Sequence, residues 1–355
     1  MQKELFVAKT FLVAIKFSLP VTQALSISRQ QNKELIVKMI ETNVSRHHET
    51  FLQVVQSYYQ LTKPRIIPLL LITTAGSMWI ASSGEVDPLL LLATLAGGTF
   101  AAASAQVINC VYDRDIDYDM ERTRHRPMPS GRIQGRDAII FAIALAIISF
   151  TLLTVCANLL AAMLAMSGIA FYVLIYTHWL KRHSTQNIVI GGAAGAIPAL
   201  VGWAAVTNSL SLTAWLIFAI VFVWTPPHFW SLALMIKDDY AKVGVPMLPV
   251  VAGSEPTVKQ IWWYTLVTVV ASLLLVYPLH ASGIVYACVA LGLGSVFIQK
   301  AWKLLNNPED RNLARGMFLY SISYMMLLCL TMVIDSLPLT HNVINFAVSK
   351  FHFIG

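Results

Sequence analysis

Charged residues are scarce in this chain: Asp, Glu, Lys and Arg make up 12% of its 355 residues, where a soluble domain carries about 25%. With 57% hydrophobic residues and a mean hydropathy of +0.65, that shortage excludes an ordinary soluble domain. Cysteine is sparse as well. Cys110, Cys156, Cys288 and Cys329 sit in or beside apolar stretches with no C-x-x-C spacing, which argues against a zinc or dithiol site and for buried structural thiols. Tandem repeats of short period and low-complexity tracts are missing too, so a repeat architecture is excluded.

What the chain has instead is apolar runs of bilayer length, for which about 20 residues suffice. Nine of them fall at 66–83, 89–109, 138–156, 159–177, 188–206, 212–235, 261–279, 281–298 and 316–334. An all-α integral membrane protein follows, with nine transmembrane helices in a single bundle around an intramembrane cavity. Basic residues are absent from every second connector. Those around Glu85 and Asp87, Asn158, Asn208 and His280 hold no Lys or Arg, whereas the others hold fifteen, from Arg114 to Arg315. The positive-inside rule places the N-terminus and the charged loops in the cytoplasm. The net charge of +7 is therefore a topology signal, and no nucleic-acid partner is expected.

Residues 1–57 mix Lys and Glu with apolar patches too short to span, and read as an interfacial or loosely ordered extension. Glu4, Glu34, Glu41 and Glu49 against only Arg29 and Arg46 are unlike an Arg-rich transit peptide, which favours the cell inner membrane over a mitochondrial one. The spanning domain occupies 58–336, and 337–355 form a short tail.

The chemistry concentrates in two of the charged loops. Asn109, Asp113 and Asp117 close the second apolar run at four-residue spacing. Such positions lie about 400° apart on a helix, so the three side chains share one face over two turns. An oxygen-rich stripe leaving a bilayer needs a positive partner. Magnesium carrying a diphosphate is one, since hard cations prefer oxygen ligands; salt bridges within the loop are the other reading. Arg122, Arg124 and Arg126 follow, and guanidinium groups bind phosphate oxygens bidentately. In the other loop, Trp224-Thr-Pro-Pro-His-Phe-Trp230 is expected to kink the sixth run at Pro226 and Pro227. His228 beside that break reads either as a hydrogen-bonded core residue or as a metal or haem ligand or proton donor. Asp238 and Asp239 follow at the cytoplasmic end, where they could face the first stripe. Tyr172 and Tyr176 lie toward the end of the fourth run, with Lys181 and Arg182 just beyond it on the same side, and Gly191, Gly192 and Gly195 make a thin face suited to close helix packing. Trp262, Trp263 and Tyr264 read as an interfacial anchor.

These segments resemble the UbiA-type intramembrane prenyltransferases, whose first signature is similar to Asn109-x3-Asp113-x3-Asp117. Within that superfamily the chain resembles the protohaem IX farnesyltransferase branch. The likeness rests on Leu61-Thr-Lys-Pro-Arg65, Met120-x-Arg122-Thr123-x2-Arg126-Pro127, Asn187-Ile-Val-Ile-Gly-Gly-Ala-Ala-Gly-Ala, the Thr-Pro-Pro-His segment, and Asp239-Tyr240 through Pro246-Met-Leu-Pro249. It covers roughly 58–334. The resemblance implies nine helices and transfer of a farnesyl group from farnesyl diphosphate to the vinyl group of haem b, with water addition, giving haem O. It further implies Mg2+ held by Asn109, Asp113, Asp117 and Asp239, with Tyr240 and Lys242 beside it. Lys63, Arg65, Arg122, Arg126 and Lys181 would bind diphosphate or haem propionates, and His228 would contact haem. Haem A synthase or the assembly of a terminal oxidase is the implied recipient. One departure stands out: where many relatives carry a second Asp-x3-Asp, the residue four after Asp239 is Val243.

Three rivals remain open on the sequence. A related prenyltransferase would act on an aromatic quinone precursor, with no need of His228. A secondary transporter would place its polar residues near the bilayer midplane, whereas these cluster at one face. A non-catalytic haem-handling protein would not need the aligned carboxylates.

Overall fold

Helix ends in this protein are set by short polar side chains and prolines that flank the apolar runs. Asp87 accepts from Leu89 N with Pro88 at the first helical position, Asn158 accepts from Ala161 N, Ser211 from Ala214 N, and Asp310 from Asn312 N and Leu313 N. Each satisfies donors that a helix start leaves open. The computed structural model describes residues 51–337, and every regular element among them is helical. In chain order these are α1 (Phe51–Leu61), α2 (Ile67–Ala81), α3 (Pro88–Tyr112), α4 (Arg114–Asp119), α5 (Gly135–Cys156) and α6 (Leu159–His183). They continue as α7 (Asn187–Thr207), α8 (Leu212–Met235), α9 (Lys237–Lys242), α10 (Leu248–Val251), α11 (Ser254–Leu273), α12 (Ile284–Asn306) and α13 (Arg311–Ser336). The expected extension over 1–57 lies largely outside the described residues, as does the tail from 338 onward.

Seven of the described helices, α3, α5, α6, α7, α8, α12 and α13, are long and apolar enough to cross a bilayer; α2 is apolar but has 15 residues. This is an integral membrane protein. The run expected at 261–279 forms a helix that starts earlier and stops earlier, at Ser254 and Leu273. Hydropathy registers only the apolar part of α11 and misses its polar first turns, and Pro278 lies beyond its end, where a helix cannot easily continue.

Each long helix packs on the next in sequence, from α2 through α3, α5, α6, α7, α8, α11, α12 and α13, and α13 returns against α2. A ring closes in this way around an interior space. Its outer surface carries exposed Leu92, Ile147, Met163, Val270, Leu291 and Leu330, an apolar exterior that only lipid accommodates. Inside, small residues bring backbones together: a Cβ on Gly202 would come within 2.3 Å of Thr74 O. Ser77, Ser104 and Ser149 donate across helices to Ala199 O, Ala142 O and Gly97 O at 2.7–2.8 Å, the kind of contact that holds membrane helices together.

One expectation needs correction. Cys110 and Cys329 are buried, but Cys156 and Cys288 are exposed on the bundle surface; a thiol facing lipid costs little, so burial is not required of it. At Pro226-Pro227 the chain stays helical, and α8 runs through both prolines from Leu212 to Met235. Packing against α7, α11 and α13 holds the segment helical where its own hydrogen-bond ladder is interrupted.

Candidate active site

Inside the ring lies a cavity of about 340 Å³, apolar along most of its length and polar at one end. The polar end is built where α3 gives way to α4. Asp113 caps α3 with its N–H on Asn109 O (2.9 Å), and Asp117 N donates to Asp113 O (2.7 Å). The four-residue hydrogen-bond register thus persists across the junction, and Asn109, Asp113 and Asp117 stay on one face. They are 2%, 3% and 5% exposed and all line the cavity.

Buried carboxylates require compensation, and each oxygen-bearing side chain has a cation. Lys63 donates to Asn109 Oδ1 at 2.6 Å. Its backbone lies in the left-handed region at φ 48°, an uncommon state for a non-glycine residue and one found at functional sites. Asp113 Oδ2 accepts from Lys181 Nζ (2.5 Å) and from Asn109 Nδ2 (2.8 Å), and the same amide reaches Thr177 Oγ1. Arg126 Nη1 contacts both oxygens of Asp117 at 3.1 and 2.9 Å. One atom is left over: Asp113 Oδ1 is buried without a hydrogen-bond partner. Arg122 also lines the cavity, so four basic side chains face two carboxylates.

The loop cations and the lock beside them differ in purpose. Arg182 grips Asp115 through two 2.7 Å contacts and donates to Tyr112 O, tying the end of α6 to α4 and so aiming Lys181 inward. That guanidinium pulls the Asp115 carboxyl down to about 2. Upstream in α6, residues Phe171–Leu180 form a π-helix, a local widening found mostly at functional sites. It sets Tyr172 and Tyr176 in the cavity wall, their rings 5.3 Å apart. Both tyrosines stand out in the sequence, which carries no signal for the π-helix. Of the thin glycine face, Gly191 seats Tyr176, whose ring a Cβ there would meet at 2.3 Å. Gly192 seats Thr225, and Gly195 has open space before it.

The acidic loop after α8 does not join the wall. Asp238 pairs with Arg311 at 2.7 Å and Asp239 with Lys242 at 4.0 Å, while Lys237 reaches Glu309. Tyr240 alone of that loop lines the cavity, where burial raises its phenol. Asp239, Lys242 and the exposed Arg65 are not in the wall. His228 is in it, 8% exposed, with its ring stacked between Trp224 (4.5 Å) and Phe318 (4.8 Å).

Among the described residues no group of three or more His, Cys, Asp or Glu side chains could enclose a metal by itself. The stripe offers two carboxylates and an amide oxygen, including the unpartnered Asp113 Oδ1. That donor set suits a hard cation that completes its shell with substrate and water oxygens, as magnesium does.

Comparisons with known proteins agree with this architecture. The model of the UbiA prenyltransferase family matches residues 69–322. A protoheme IX farnesyltransferase of Trichormus variabilis is 81% identical over 318 residues, covering 89% of this chain and 100% of that protein. One from Nostoc sp. is 80% identical over the same shares. Among solved structures, a digeranylgeranylglyceryl phosphate synthase aligns with a TM-score of 0.67 at 22% identity, over 80% of this chain and 99% of that one. A UbiA homologue from Archaeoglobus fulgidus, bound to DMAPP and Mg2+, aligns with a TM-score of 0.55 at 16% identity, over 78% and 99%. The chain is a prenyltransferase of the UbiA family and belongs to its protoheme IX farnesyltransferase branch.

Proposed function

We propose that this enzyme transfers the farnesyl group of farnesyl diphosphate to a vinyl group of haem b, with addition of water, releasing haem O and diphosphate. The observation that carries the reading is the union in one cavity of an apolar tunnel and a polar end with surplus positive charge. Lys63, Lys181, Arg122 and Arg126 against Asp113 and Asp117 leave a site that a polyanion would neutralise, and the apolar remainder suits an isoprenoid chain.

Asn109, Asp113 and Asp117 are the residues that would hold magnesium, with Asp239 as a more distant candidate. Once bound there, the ion supplies Lewis-acid neutralisation of leaving-group charge. Lys63, Lys181, Arg122 and Arg126 take phosphate oxygens, stabilising the charge that develops as the allylic C–O bond ionises. Tyr172 and Tyr176 offer aromatic faces to the resulting carbocation. The apolar helices around the cavity keep water away until the haem vinyl carbon has been joined. His228 contacts the haem, and Tyr240 closes the polar end.

The same reading includes nine crossings, with α2 and α11 added to the seven longer helices, and an N-terminus on the cytoplasmic side of the cell inner membrane. The supporting pattern is the restriction of Lys and Arg to alternate connectors. Haem A synthase or an oxidase-assembly complex would receive the product. The deciding assay incubates purified protein with haem b, farnesyl diphosphate and magnesium and follows haem O by mass spectrometry. A prenylated aromatic acid in a parallel incubation, with no haem product, would transfer the proposal to the quinone-precursor reaction.

A further inference from the structure

The Trp224-Thr-Pro-Pro-His segment of α8 places two polar contacts on one residue of α13, Ser321. Ser321 is fully buried, at 0% exposure, and receives two side chains of α8 at once. His228 Nδ1 lies 2.8 Å from Ser321 Oγ, and Trp224 Nε1 donates to the Ser321 carbonyl at 2.9 Å. The Ser321 hydroxyl itself donates to Phe318 O at 2.6 Å. A serine hydroxyl has one proton to give. With that proton committed to Phe318 O, the oxygen can only accept from His228, so Nδ1 carries the imidazole proton and Nε2 keeps its lone pair. The opposite assignment would leave the two oxygens of the Ser321–Phe318 contact facing each other with no hydrogen between them.

The ring faces are unavailable, since Trp224 and Phe318 stack on both sides at centroid distances of 4.5 and 4.8 Å and interplanar angles of 16° and 23°. Phe229 meets the imidazole at 4.9 Å and 79°, so what remains for a ligand is the part of the ring edge that faces the cavity. His228 lines the cavity, and no partner for Nε2 is found among the described residues. An imidazole fixed in this way, with one nitrogen donating to a protein oxygen and the other bare, is the arrangement of a histidine that ligates a metal.

We propose that Ser321 is a positioning residue: it sets the tautomer and the ring orientation of His228 so that Nε2 meets the iron of the haem substrate edge-on. The proposal rests on the reading of His228 as the haem contact, and the two fail differently. Full-length protein, purified in detergent, is titrated with haem b and the Soret band and the ferrous iron–histidine stretching band are recorded. His228→Ala should abolish the stretching band and weaken haem binding, with added imidazole restoring the Soret position. If that variant titrates like the parent enzyme, the haem reading of His228 falls. Ser321→Ala should weaken haem binding about 10- to 100-fold and move the stretching band to lower frequency, because the donated Nδ1–H bond raises ligand basicity. Ser321→Thr, which keeps the hydroxyl, should restore the parent band, and magnesium-dependent farnesyl diphosphate binding should be unchanged throughout. A changed His228→Ala beside a parent-like Ser321→Ala overturns the positioning role. Should the alanine variant not fold, Ser321→Cys, similar in size and a poorer acceptor, carries the test, and an unshifted band there overturns it equally.

Discussion

Two acidic segments leave the membrane on this protein, one after α3 and one after α8, and they differ in everything but charge. Asn109, Asp113 and Asp117 are buried, lie on one helical face and are each held by a separate cation in the cavity wall. Asp238 and Asp239 sit on a short helix at the surface, and their partners Arg311 and Lys242 lie outside the wall. In water an ion pair is worth little, whereas a desolvated carboxylate without compensation costs several kcal/mol. The segment after α3 therefore depends on the cations that hold it, and Asp113 Oδ1 is still unpartnered. The segment after α8 instead fastens α9 to the start of α13 at the surface. Equal acidity in sequence does not mean equal standing in the site.

The largest effect should come from the buried stripe. Asp113→Asn and Asp117→Asn are expected to lower haem O formation by about 10²- to 10³-fold, the size of losing one charge-stabilising contact at a reaction centre, while the protein still elutes as a folded species in size-exclusion chromatography. Turnover within a fewfold of the parent enzyme in either variant would remove the distinction between the segments. Asp239→Asn comes next, with a loss of roughly tenfold, the effect of about 1.4 kcal/mol on the barrier, if it assists from the edge of the site; a loss as deep as that of Asp113→Asn, in the same assay, would make the clamp two-sided after all. Asp238→Asn should leave turnover within about twofold, since the pair it breaks is exposed. A strong loss there would show that the Arg311 contact sets the position of Tyr240.

Much of this was legible beforehand because it depends on local regularities. The helical runs follow from apolar length, and the shared face of Asn109, Asp113 and Asp117 from four-residue spacing, which survives the α3–α4 junction because Asp113 and Asp117 keep donating four residues back. The rest depends on distant partners. Nothing near Lys63 in sequence reveals a left-handed backbone aimed 46 residues onward at Asn109. The π-helix at Phe171–Leu180 has no compositional mark, and Ser321 is an ordinary serine in an apolar helix until α8 is laid against it. The continuity of α8 through Pro226 and Pro227 likewise depends on packing from three neighbours.

The smallest effect sharpens the comparison by using an acidic residue that belongs to the loop after α3 but not to its cavity. Asp115 is bound by Arg182 and its carboxyl is lowered to about 2 from an ordinary 3.8. A depressed carboxylate contributes stability that is fully present above its unfolded value and lost as pH falls through the folded one. The Asp115–Arg182 lock should therefore act without change from pH 7 down to about 4 and fade between about 4 and 2. Thermal unfolding of the detergent-solubilised enzyme and of Asp115→Asn would read this directly. The parent should melt slightly higher at neutral pH, and the gap should close on acidification, where a protonated Asp115 and an asparagine become alike. The gap is expected to be small, because Asp115 is largely exposed and solvent screens the pair. A gap that persists undiminished at about pH 2 would mean that the asparagine acts through something other than the charge, and that the lock does not hold α6 to α4 by electrostatics.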